Sequence, residues 1–177
     1  MGLFSKKPKE LVYDAAQCRM KKERMREMFN EAVEDGDSYE ILHVSETTTK
    51  FERGFVFDTN TTTFYHYILG YRERDDRAVL VQIDRELTQH SEALAIDMDA
   101  VAQAHYNPKY TQASLIYKKG SRDYGEIMDI GDTGSNTMAG IADMVQKEER
   151  ERFLDYLEGL RSRLEQKGYK QEKWKRE

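Results

Sequence analysis

Three groups of residues in this chain have types and spacings that chemistry could use. Asp132-Thr133-Gly134-Ser135 sets a carboxylate in a tight turn. Two such turns face to face would let a pair of carboxylates share one proton, one polarising a scissile carbonyl while the other activates water. A chain with one copy would have to dimerise to supply the second. Asp97 and Asp99, two apart, would point to the same side of a strand and could hold Mg²⁺ or Mn²⁺ with a nucleotide phosphate. Lys50 and Arg53, in Thr47-Thr48-Thr49-Lys50-Phe51-Glu52-Arg53, could hold phosphate oxygens through charge-assisted hydrogen bonds. His43, His66, His90 and His105 are scattered without ligand spacing, so no metal site is expected from them. The single Cys18 can build neither an internal disulfide nor a thiolate metal site.

Context decides between these readings. The Asp132 string resembles the catalytic loop of aspartic proteases, which implies a hydrolase acting through Asp132 in a homodimer. Yet Gly131 stands where a bulky apolar residue precedes the Asp in those enzymes, and the apolar-apolar-Gly segment Ile68-Leu69-Gly70 lies before the loop instead of after it. A turn that caps a helix is the preferred reading. A nucleotide-sugar site at Asp97 and Asp99 needs alternating βα units, which the sequence lacks. No phosphate loop, serine elbow or dinucleotide fingerprint is present. No catalytic residue, metal or cofactor is therefore expected.

The elements that would position these residues begin with a helix between Pro8 and Gly36. Its apolar stripe of Leu11, Ala15, Cys18, Met25, Phe29 and Ala32 is interrupted by Lys22, which predicts thin burial and a face free for another chain. From Ser38 the period changes to two. Residues 39–46, 51–58, 62–71 and 78–84 read as four strands, the third bulky on both faces and hence central. Residues 91–104 read as a strand or a helix, with the strand preferred; 112–119 and 125–130 form a hairpin. A closing helix over 138–167, capped at Ser135 or Asn136, carries the stripe Phe153, Leu157, Leu160 and Leu164.

Four strands, then three, then a helix resemble the pleckstrin-homology-like fold of small bacterial domains. The matching residues are Ile96-Asp97-Met98-Asp99-Ala100-Val101, then Leu115-Ile116-Tyr117-Lys118-Lys119-Gly120, then Phe153-Leu154-Asp155-Tyr156-Leu157, over about residues 38–167. The resemblance implies an α+β fold: an antiparallel seven-stranded half-barrel closed by a C-terminal helix, here with an extra N-terminal helix. It also implies that a ligand site, if phosphoinositide-like, would use Lys50 and Arg53 near the first hairpin. Glu52 stands between them, and further cations are absent.

Composition bounds the rest. With 34% charged and 38% hydrophobic residues and a net charge of −5, the chain reads as a globular domain with a heavily solvated surface. The negative balance argues against nucleic acid. Both ends are basic fringes on a more acidic body, and Trp174 among the cations of the tail could make weak contact with an anionic membrane. The expected organisation is a helical extension over 1–36, a β-rich domain over 37–167 and a solvated basic tail over 168–177. The expected protein is a cytoplasmic, non-enzymatic binding or scaffold module that meets a protein partner, or itself, through the N-terminal helix.

Overall fold

A computed structural model describes residues 13–53, 59–120, 125–131 and 140–174. The chain is α+β. A helix α1 (Ala15–Ala32) leads into strands β1 (Glu40–Glu52), β2 (Thr59–Arg72), β3 (Arg77–Ile83), β4 (His90–Ile96), β5 (Val101–Asn107), β6 (Gln112–Tyr117) and β7 (Gly125–Asp129), followed by helix α2 (Lys147–Gln166). The strands form one antiparallel sheet in the order β4-β3-β2-β1-β7-β6-β5, not closed into a barrel.

Seven strands were expected and seven are present among the described residues, but two are divided differently. Of the strand expected at 51–58, Phe51 and Glu52 belong to the first strand, and 54–58 lie outside the described residues. Thr47, Thr48 and Thr49 are β-branched and extend the first strand instead of turning it, so β1 runs through Glu52 and pairs with β2 from Glu40↔Tyr71 to Glu52↔Thr59. Residues 91–104 are two strands. The Asp97 side chain accepts from Ala100 N–H and caps the short 3₁₀ turn Met98–Ala100, which separates β4 from β5.

Side-chain alternation makes two cores from one sheet. On one face, Leu42 and Val44 of β1, Leu69 and Tyr71 of β2, and Ala78 and Leu80 of β3 pack with Phe153, Leu154, Tyr156, Leu157, Leu160 and Leu164 of α2. The predicted stripe of α2 is thus the buried one. On the other face, Ile68, Val79, Val81 and Ile83 pack with Met25, Met28, Phe29 and Val33 from the α1 region. The strand expected to be central, β2, is covered on both faces.

Helix α1 begins at Ala15, where the Asp14 carboxylate accepts from Ala16 and Gln17 N–H. Its stripe is not thin, because Phe29 lies fully buried against Gly70. A Cβ at Gly70 would fall 2.1 Å from the Phe29 ring, so the missing side chain makes room for the helix. Lys22, which interrupts the stripe, forms an ion pair with Glu149 of α2 at 2.6 Å. The helix belongs to the core, while Met20 on its outer side is 59% exposed.

The closing helix starts at Lys147 instead of residue 138. Asp143 takes φ 56°, a left-handed conformation that a helix cannot contain, and Ile141 and Met144 leave the extended segment to enter the α1-side core. The caps proposed at Ser135 and Asn136 lie outside the described residues. The tail also differs from expectation: residues 169–174 pack on the body, with Tyr169 and Trp174 against the α2-side core.

Candidate functional site

Beyond the body, β1 and β2 continue as a free two-stranded arm. Pairing of β2 with β3 ends at His66↔Ile83, and β1 meets β7 in register only at Ser45↔Asp129. The ladder nevertheless runs on through Glu46↔Tyr65, Thr47↔Phe64, Thr48↔Thr63, Thr49↔Thr62, Lys50↔Thr61, Phe51↔Asn60 and Glu52↔Thr59. Seven residues at about 3.4 Å each carry it roughly 24 Å past the sheet. No residue of this arm is buried, and Phe51 is 60% exposed. Threonines hold it together. Their branched side chains favour the extended backbone, and Thr49 and Thr62 hydroxyls meet across the strands at 3.3 Å.

Lys50 lies on this arm, opposite Thr61, and Arg53 follows its last strand residue. Both are exposed, and neither has an ion-pair partner among the described residues. They are three positions apart on an alternating backbone, so they do not share a face; Glu52 shares that of Lys50. Among the described residues, the remaining edges of the arm past Ser45 and His66 meet no further strand, the arrangement by which sheets recruit one.

The other sequence candidates fare differently. Asp97 and Asp99 do not line a strand, because Asp97 serves as the cap described above. Among the described residues no three His, Cys, Asp or Glu side chains converge on a possible metal position. The Asp132–Ser135 string lies outside the described residues. Cys18 is buried, its Sγ in reach of both N–H and C=O of Val145.

Two histidines that looked scattered are in fact paired. His43 and His66 sit on adjacent strands with Nε2 and Nδ1 3.1 Å apart and their rings stacked at 5.3 Å. Burial, reinforced by the neighbouring His66, pushes the His43 pKa down to about 3. Burial also lowers that of His66, with Arg85 adding to the effect and Glu86 opposing it. At neutral pH both rings are uncharged, one donating and the other accepting a single proton. The backbone of His43 is gripped from the free side of β1 by Gln146, whose Oε1 accepts from His43 N–H at 2.8 Å and whose Nε2 donates to His43 C=O at 2.7 Å. The carboxamide thus stands in for a strand. The pair follows from register, since His43 lies beside Ile68, two residues from His66. Spacing along the chain, 23 residues, carried no such signal.

Below α1 a cavity of about 170 Å³ is lined by Met25, Ile41, Leu42 and Met144, with the Lys22–Glu149 ion pair at its mouth. Comparison of the chain with protein-family models, curated proteins and solved structures returns no match.

Proposed function

We propose that this protein is a non-enzymatic binding or scaffold module, of pleckstrin-homology-like organisation, that engages a protein partner through the β1–β2 arm. The arm is the observation that carries this reading. An isolated two-stranded ribbon is marginal in water, so a solvated one of seven pairs is maintained at some cost in stability. It offers two edges that no other described strand pairs, an exposed Phe51 and the cations Lys50 and Arg53, which together suit an extended polypeptide carrying acidic and apolar side chains. The paired histidines do not compete as a reactive centre, because His43 is almost wholly inaccessible and its pKa is driven far from the working range.

The order of strands, with β1 joining a four-strand half to a three-strand half and α2 across one face, is what supports the pleckstrin-homology-like assignment. A photo-crosslinker in place of Phe51 tests the function. In cells it should yield a discrete protein adduct that the same group in place of Glu86 does not. A purified chain that turns over peptide substrates, and loses that turnover in Asp132→Asn while remaining folded, would replace this reading with the hydrolase.

A further inference from the structure

At the far edge of the sheet, β5 is covered by the chain's own C-terminal tail. Gly168, at φ +89°, ends α2 in the left-handed turn that glycine permits, and Tyr169 N–H returns to Leu164 C=O. The reversed chain then runs beside β5. Gln171 Nε2 donates to Ala102 C=O at 2.8 Å, Gln171 Oε1 accepts from Ala104 N–H at 3.1 Å, and Gln103 Nε2 donates to Lys170 C=O at 3.3 Å. Three residues on, Trp174 lies 4.7 Å beneath the Arg161 guanidinium and edge-on to His105 at 5.8 Å. A carboxamide and an aromatic ring therefore occupy a groove between β5 and α2 that can read both.

The fit is incomplete. His105 Nδ1 and Arg161 Nε of the groove, and Nε1 of the tail's own Trp174, are buried with no hydrogen-bond partner among the described residues. Glu172 reaches only to 3.8 Å from His105 Nδ1, beyond hydrogen-bonding distance. Buried polar atoms left unpaired are costly, so a segment that placed an acceptor against His105 and Arg161 would hold the groove better than the tail does.

We propose that the β5–α2 groove is a docking site for an extended segment of a partner protein, bearing a carboxamide and, three residues later, an aromatic ring, and that the tail holds this site shut until such a segment displaces it. The tail has the advantage of attachment, since a short tether gives an effective concentration of about millimolar. Its unpaired atoms lower the barrier to exchange. The site is independent of the β1–β2 arm, so either can fail without the other.

The test uses the full chain and a probe peptide of residues 168–174, labelled with fluorescein. Anisotropy should show it binding the full-length Gln171→Ala/Trp174→Ala variant at least about tenfold more tightly than the wild type, because the variant's own tail competes poorly. The same peptide with Gln and Trp replaced by Ala should not bind. Equal binding to wild type and variant, or no binding to a folded variant, overturns the proposal. A second measurement needs no variant. Trp174 is the single tryptophan of the chain, so millimolar unlabelled peptide with Phe in place of Trp should shift wild-type emission to the red as the tail leaves its seat. An unmoved spectrum also overturns it. A wild-type dimer that grows with concentration and vanishes in the double variant would give the groove to a second copy's tail and overturn the assignment to a different protein.

Discussion

The same two strands lead two different lives. Where β1 and β2 cross the body, Leu42, Val44, Ile68 and Leu69 are at most 1% exposed, and helices cover both faces. Where they leave it, seven further cross-strand pairs proceed with no buried residue. Backbone hydrogen bonding continues through both regions, so the ladder does not distinguish them; side-chain burial does. Apolar burial contributes roughly 25 cal/mol per Å², and the arm forgoes nearly all of it. A polypeptide retains such an element where the contact surface it presents is of use, which is the physical ground for placing partner contact there.

The sharpest way to break the body half is Leu157→Asp. Leu157 is fully buried among Val44, Tyr71, Leu115 and the rest of the α2-side core, with no partner for a carboxylate. Burying one unpaired costs several kcal/mol, comparable with the whole stability of about 5–15 kcal/mol. The variant should lack cooperative unfolding in urea. A wild-type midpoint would show that α2 is not packed through this stripe.

Gln146→Ala removes less. It leaves the N–H and C=O of His43 without partners on the free side of β1, in a site only 2% exposed. Each unsatisfied group costs about 1–3 kcal/mol, so a loss of roughly 2–6 kcal/mol is expected for the two, with the denaturant slope unchanged. A loss below about 0.5 kcal/mol would mean that water replaces the carboxamide easily and that β1 is no better sealed in the body than on the arm.

Acid should weaken the body selectively. His43 titrates near 6.5 when unfolded and near 3 when folded, so between those values the unfolded state binds a proton that the folded state refuses. Stability is therefore intact above about pH 6.5 and falls as pH drops, on the order of 1 kcal/mol per pH unit, until about pH 3. His66 shifts in the same direction. Replacing both with Leu should flatten the stability profile between pH 6 and 4, measured by urea midpoints. An unchanged slope would place the acid sensitivity in carboxylates instead.

How much of this was written in the sequence follows from which interactions are local. The stripe of α2 was legible because helical period sets its own face, and the period-two run foretold an antiparallel sheet. The start of α2 was not, since the left-handed Asp143 and the burial of Ile141 and Met144 in the α1-side core hold the preceding residues out of the helix, and those contacts are distant in sequence. Lys22 read as a break in a stripe and proved to be a bridge to Glu149. Phe29 seemed one apolar residue among several until Gly70 opposite it appeared in space. The stretch from Thr47 to Arg53, expected near the first hairpin, runs on as strand through Glu52, because branching at Cβ in the three threonines favours the extended backbone. Lys50 and Arg53 were visible as cations, but whether they share a face depends on where the strand ends.

The smallest effect on stability should come from the arm, and there the comparison is sharpened. Phe51→Ser removes a ring that is 60% exposed and touches neither core, so the change in unfolding free energy should stay within about 0.5 kcal/mol. Lys50→Glu with Arg53→Glu should be equally silent, because neither cation has an ion-pair partner among the described residues. The charge reversal should nevertheless abolish the adduct formed by the crosslinker at position 51, since losing anchor contacts at an interface costs far more than losing them in solvent. Vesicle sedimentation separates the source of any negative charge that the arm meets. Binding of the wild type to phosphatidylserine vesicles that salt removes, and that the double charge reversal loses, would make the arm a membrane contact. Adduct loss without vesicle binding would assign it to a protein. A Phe51→Ser protein that is destabilised by more than 1 kcal/mol would instead show that the ring is buried against the body in solution, and the arm would no longer be a free element.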